Sequence, residues 1–438
     1  MDARTVGAAT VTAQAHPGDS HDALYRKVFW RFVPLLMLGF MTAYLDRVNI
    51  GFAKLQMQQD LHFSDTIYGL GAGIFFIGYF LFEVPSNVIL HRIGARRWLA
   101  RIMVTWGVLS ALTMFVTTPM QFYVLRFLLG LSEAGFLPGV LLYLTYWFPS
   151  ARRGRIIALC MMAVPLSAVI GNPLTGWIMH TFDGLHGWAG WQWVFLLEAM
   201  PAVILGVLVL KRLDDRVERA TWLGEKERSA IAREITCDAV THEPLGMWQL
   251  MSRGRVWGLA LIYFCLSMGL YGVSFWMPTI IRNSGVTDTL HIGLLTAIPP
   301  LFAVLGMVAN STRSDRCGER RWHTAIPAFC AAIGFVACAL WSSNTLVALC
   351  ALTVANVGVM SAVPVFWTLP TVFLGGAAAA VGIALINSFG NLSGFVSTYL
   401  VGALKDLTGS TDSGIYVIAA CLLTAGLTAL AQPKPLKQ

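Results

Sequence analysis

Four charged side chains stand in stretches that are otherwise apolar: Asp46 and Arg47 in one, Arg126 and Glu133 in another. A guanidinium stays charged and offers a planar fork that matches a carboxylate, so a pair of them suits an organic anion better than a neutral sugar. A partly desolvated carboxyl beside them suits a proton carrier. Arg126 and Glu133 are seven residues apart, two helical turns with a rise of about 10.5 Å, and therefore share one helix face. Asp46 and Arg47 are adjacent, about 100° apart around a helix, so both cannot point squarely at the same partner. In lipid each such charge costs roughly 2.5–3.5 kcal/mol at the bilayer centre on insertion scales. They are retained where they face one another, a ligand or water.

The elements that must hold them follow from composition. The chain has 438 residues, 56% hydrophobic and only 12% charged, against about 25% charged in a soluble domain. Twelve apolar segments between residues 28 and 431 are long enough to cross a bilayer as helices. No alternating ten-residue pattern points to a membrane β-barrel. With both termini cytoplasmic, Lys54, Arg282 and Lys405 fall outside and Arg47 and Arg126 fall within helices; the rest of the 31 Lys and Arg are cytoplasmic. That is the positive-inside pattern, so the net charge of +8 reports topology and not a nucleic-acid partner.

The eight cysteines have no metal or redox spacing: Cys237 and Cys317 lie in loops and the others in apolar helices. The polar first 25 or so residues lack the apolar core of a cleavable signal. There is no P-loop, no H-E-x-x-H and no G-x-S-x-G, which argues against a membrane enzyme or sensor. No cofactor is expected.

The chain also repeats. The pattern R-x-G-x-R-R-W runs from Arg92 to Trp98 and again from Arg316 to Trp322, each time in the short link between a second and a third helix of six. Between the halves lies a polar stretch dense in both charge signs, with helical propensity over 223–236. These features predict an all-α polytopic membrane protein: a disordered cytoplasmic N-terminus (1–27), a six-helix bundle (28–211), a cytoplasmic linker (212–255), a second, pseudo-symmetric six-helix bundle (256–431) and a tail (432–438).

The repeated loop resembles that of the major facilitator superfamily. The stretches Tyr44–Ala53, Arg126–Gly139, Gly190–Phe195, Pro364–Pro370 and Ile386–Asn391 are similar to the anion:cation symporter family, in its bacterial branch of tartrate, phthalate and hydroxyphenylacetate permeases. The resemblance covers nearly all of residues 28–431. It implies a monomer in the bacterial inner membrane that imports a small organic carboxylate with protons by alternating access. It assigns anion binding to Arg47 and Arg126, with Tyr79 as a further contact, and protonation to Glu133 and Asp46. The loop residues His91, Arg92, Asp315 and Arg316 would form the cytoplasmic gate. This chain departs from the loop motif by carrying Asn87 and His91 where the family has Gly and Asp.

The embedded charges all belong to the first half, so the second half must contribute neutral groups. The candidates are Tyr271, Trp276, Trp367, Asn387 and Asn391; the two asparagines share a helix face. Helix packing accounts for the two tryptophans equally well, and a structural role or helix packing is the favoured reading of Glu83 and Glu198. An anion exchanger of the same fold is the alternative to a symporter. Such exchangers tend to place an arginine in each half, which this chain does not.

Overall fold

The structure, a computed structural model, describes residues 17–238, 254–373 and 377–433, which are helical apart from short turns. The first half comprises α1 (Pro17–Val48), α2 (Ile50–Leu61), α3 (Asp65–Ile93), α4 (Ala95–Leu112), α5 (Pro119–Glu133), α6 (Phe136–Thr145), α7 (Ser150–Thr181) and α8 (Gly190–Arg212). The linker helix α9 (Glu225–Asp238) follows. The second half comprises α10 (Gly254–Asn283), α11 (Thr289–Thr296), α12 (Ile298–Cys317), α13 (Arg321–Leu340), α14 (Thr345–Phe366), α15 (Thr368–Phe373), α16 (Ala377–Thr408) and α17 (Asp412–Ala431).

The pairs α1–α2, α5–α6, α11–α12 and α14–α15 each make one interrupted crossing. Among the described residues eleven crossings are long and apolar enough to span a membrane, and the 32-residue α16, packed between α3 and α10, completes twelve in two sets of six. We call the side carrying α9 the linker face and the opposite side the distal face.

The interruptions fall beside the charged residues. The first comes at Asn49, two residues after Arg47. The second follows Glu133 directly: Gly135 takes φ +88°, and a Cβ there would stand 2.1 Å from Ser86 Oγ, so glycine alone fits. The start of α5 is set by Thr118, whose hydroxyl caps Gln121 N at 3.3 Å ahead of Pro119.

The first helix begins at Pro17, eleven residues before the 28 that the apolar pattern marks. Contacts with the linker extend it. Tyr25 Oη donates to Glu234 at 2.7 Å, Lys27 pairs with Glu227 at 2.9 Å, and Arg31 lies 5.2 Å over the Trp222 ring. The Gly224 N–H and the Lys27 ammonium hold the Glu227 carboxyl below the usual carboxylate range. Thus α9 is fastened to the first half. Residues 1–16, 239–253 and 434–438 of the expected segments lie outside the described residues.

The halves meet along α3 against α16, α2 against α10, and α7 against α11. The α7–α11 crossing depends on two facing glycines. A Cβ on Gly176 would stand 2.5 Å from Thr289 O, and one on Gly293 would stand 2.6 Å from Asn172 O. Small residues of this kind let backbones touch where lipid offers no hydrophobic drive to association.

Candidate functional site

Phe75 of α3 organises the charged cluster. The guanidinium carbons of Arg47, from α1, and Arg126, from α5, each lie 5.2 Å from its ring centroid. Arg47 is also 5.2 Å from the Tyr79 ring and 6.0 Å from that of Phe76. Both arginines are thus held by aromatic faces that favour a cation without neutralising it.

Their other partners differ. Arg47 donates through Nη2 to Glu133 Oε1, and its side chain is 16% exposed. Arg126 is fully buried, and none of Nε, Nη1 and Nη2 has a hydrogen-bond partner among the described residues. Asp46, Tyr68 and Glu133 face it as acidic groups. Asp46 itself accepts from Ser110 of α4. The adjacent Asp46 and Arg47 therefore do diverge, one to α4 and one to α5. Glu133, two turns from Arg126 on the same helix, spends its charge on the other arginine.

The second half supplies neutral polar groups. Tyr271 of α10 packs edge-on to Phe76 at 4.5 Å, and its hydroxyl donates to Asn391 Oδ1 of α16 at 3.3 Å. That hydroxyl is also beside Arg47. One turn away, Asn387 donates to Glu83 Oε1 of α3 at 3.1 Å. Glu83 therefore joins the halves and does more than pack its own bundle.

Other expected residues lie elsewhere. Trp276 is buried under Lys54, whose ammonium is 3.6 Å from its ring, and it meets Tyr68 edge-on at 5.6 Å. Trp367 meets Tyr263 edge-on at 4.6 Å and makes no ring contact with either arginine. His91, Arg92, Asp315 and Arg316 are all exposed at the linker face; Asp315 pairs at 2.5 Å with Arg320 of its own loop. In this conformation the four do not meet across the halves among the described residues.

The distal face carries the contacts that sequence reasoning did not place. Asp65, at the start of α3, pairs with Lys54 at 2.6 Å and with Lys405 of α16 at 3.1 Å. The neighbouring Asp406 accepts from the backbone N–H groups of Asp65 and Thr66 at 3.1 and 2.7 Å, so one half caps a helix of the other. Arg282 donates to Leu55 O, Asn172 Nδ2 to Thr296 O at 2.9 Å, and His180 pairs with Asp288 at 2.8 Å. The position of Lys54 and Lys405 outside the apolar segments is the one sequence signal for this cluster. These contacts between the halves close the distal side of the arginine cluster.

Comparison with known proteins decides the family. The sequence profile described as Major Facilitator Superfamily matches residues 36–398. The chain belongs to the major facilitator superfamily. It is 50% identical over 420 residues to "Putative metabolite transport protein NicT" of Pseudomonas putida, covering 94% of this chain and 95% of that one. It is 49% identical to a "Putative tartrate transporter" of Agrobacterium vitis, covering 94% and 92%. The solved inward-open xylose transporter XylE of E. coli superposes with TM-score 0.74 at 16% identity, covering 93% of this chain and 96% of that one, a likeness of fold. This major facilitator protein is accordingly a multi-pass membrane transporter and not an enzyme.

For a transporter of this superfamily the distal contacts make a testable latch. Asp406→Ala removes the acceptor for two N–H groups at the exposed start of α3, a cap worth about 0.5–2 kcal/mol. Opening at the distal face should become several-fold more frequent. The measure is alkylation of Tyr68→Cys in a chain lacking its native cysteines; an unchanged rate would show that other contacts hold the face shut.

Proposed function

We propose that the protein is a proton-coupled symporter that imports a small organic carboxylate by alternating access. The observation that carries this reading is Arg126: a fully buried guanidinium with three nitrogens unpartnered among the described residues, next to an arginine that is half committed to a carboxylate. An anion with one or two carboxylates satisfies those donors as no neutral solute does. The tartrate-transporter name of one relative supports a carboxylate, and the aromatic wall of Phe75, Phe76, Tyr79 and Tyr271 accommodates a ring as readily as a hydroxy acid.

The coupling follows from the ion pair. Protonation of Glu133 releases Arg47, and the freed fork joins Arg126 on the anion, while Asp46 serves as the second proton site. Tyr271 and Asn391 read the uncharged part of the substrate. The basic-residue asymmetry supports a cytoplasmic linker face and a bacterial inner membrane; with the distal contacts made, the state described here is then closed to the outside. Rocking of the halves breaks the distal latch and brings the His91–Arg92 and Asp315–Arg316 loops together as the opposite gate. The chain works as a monomer.

The test is uptake of a carboxylate panel, tartrate and phthalate included, into proteoliposomes. Uptake that accumulates only with an inward proton gradient is the expected result. Uptake indifferent to the gradient but stimulated by internal anion would make the protein an exchanger instead.

A further inference from the structure

A further carboxyl in the membrane interior has no role in the scheme above. Glu198, midway along α8, is 2% exposed; its Oε1 accepts from Thr175 Oγ1 of α7 at 2.5 Å and its Oε2 has no partner among the described residues. Asp46, 1% exposed, is satisfied at Oδ1 by Ser110 and unsatisfied at Oδ2. Between them, at the interruption of the first crossing, stands the side chain of Asn49. It is 1% exposed and adjoins both carboxyls, and neither its Oδ1 nor its Nδ2 has a partner by strict geometry among the described residues. Four buried polar atoms on three neighbouring side chains are thus left open at one place. Buried orphans of this kind are rare and costly.

The charged surroundings are uneven. Arg126 and Glu133 face Asp46 from α5. No basic group pairs with Glu198 among the described residues; Asp46 is the charged group that acts on it. Elsewhere on the packed elements, Asp60 of α2 is held by Trp191 Nε1 at 2.7 Å, His180 of α7 pairs with Asp288 at the distal face, and Arg101 of α4 lies over Trp98 near the linker face. An ionised Glu198 would be an unopposed charge in lipid.

A single hydrogen completes the set. We propose that Glu198 holds a resident proton and, through Asn49, supports the ionised form of Asp46. Glu198 Oε2–H donates to Asn49 Oδ1, and Asn49 Nδ2–H donates to Asp46 Oδ2. All four open atoms gain a partner, and the carboxylate that remains ionised is the one that Arg126 faces. A sodium ion would find oxygens in Asp46 Oδ2, Glu198 Oε2 and Asn49 Oδ1 but would leave Nδ2 unpaired beside a cation, so the proton fits the donor set better. Glu198 is then a positioning residue: it touches neither anion nor coupling proton, and it sets how tightly Asp46 holds its proton. This rests on the reading of Asp46 as a proton site.

The experiment is the pH dependence of proton-driven uptake by the full chain in proteoliposomes. Glu198→Gln keeps a donor to Asn49 Oδ1 and should retain the parent pH profile. Glu198→Leu and Asn49→Leu remove the relay, so Asp46 should bind its proton about tenfold more tightly and the alkaline limb should move up by about one pH unit, since the lost bond is charge-assisted. Should Glu198→Leu fail to fold, the contrast between Glu198→Gln and Asn49→Leu carries the same information. A Glu198→Gln profile shifted as far as that of either Leu variant would mean that Glu198 titrates during the cycle, and would overturn the resident proton. Sodium-stimulated uptake that disappears in Glu198→Gln would overturn it in favour of a cation site. Asp46→Asn separates the two levels: if its uptake and pH profile match the parent, Asp46 is no proton site and the relay has nothing to tune.

Discussion

Replacing Arg126 by Met should abolish carboxylate binding and, in the same protein, raise the stability of the unliganded state. The two effects share one cause. Arg126 is enclosed by Phe75, Tyr68 and the body of α5, with no bonded partner among the described residues for any of its three guanidinium nitrogens. Removing an uncompensated charge from a low-dielectric interior relieves a desolvation cost of several kcal/mol, partly offset here by the facing Asp46. The unliganded Met variant should therefore melt a few degrees higher than the parent, while a carboxylate that stabilises the parent leaves the variant unmoved. Arg126→Lys is the informative companion. It keeps the charge but loses the fork, and should weaken binding by about tenfold or more, the value of one charge-assisted bond. Parent-like affinity in Arg126→Lys would show that the site requires only a point charge. A lower melting temperature in Arg126→Met would show that the guanidinium is structural.

The stabilisation test bears on what was legible in the chain. That Asp46, Arg47, Arg126 and Glu133 gather in one cluster could be read from the cost of charge in apolar segments, and the twelve-crossing fold from segment lengths and the repeated loop. Their pairing could not. Helical periodicity places Arg126 and Glu133 on one face, yet the break at Gly135 and the approach of α1 give Glu133 to Arg47. Periodicity is a statement about one helix, whereas ion pairing is decided by the neighbour.

Trp276 shows the same limit. Its place in the seventh crossing makes it a candidate for the cavity, but Lys54 and Tyr68 claim it for the distal seal. Glu83 and Glu198 read alike in the chain, as residues with a structural role or in helix packing. In the fold the first bridges the halves and the second adjoins Asp46 through Asn49, a distinction that rests entirely on helices distant in sequence. The distal latch was the least visible feature. It is built from backbone N–H groups and an ordinary surface-type residue, Asp406, which carries no composition signal at a helix end; only the lysines Lys54 and Lys405, outside the apolar segments, point to it.

Glu133→Gln should separate anion movement from proton movement. In the parent, Arg47 is occupied by the Glu133 carboxylate, so an arriving anion competes with an internal one. Protonation of Glu133 removes the competitor. The sign is then fixed: anion affinity rises as pH falls through the titration of Glu133, by about tenfold per pH unit for each proton taken up with the anion. Glutamine is neutral at every pH. It leaves Arg47 free permanently, so affinity at neutral pH should equal or exceed that of the parent, and the slope of log affinity against pH should fall by one. Exchange of labelled for unlabelled anion should continue, because both arginines still receive the substrate. Gradient-driven accumulation should be lost, because the carrier no longer binds and releases that proton as it changes face. Accumulation that survives in Glu133→Gln with its pH slope intact would transfer the coupling to Asp46, whose tie to Ser110 and exposure to Arg126 make it the other carboxyl able to sense the anion.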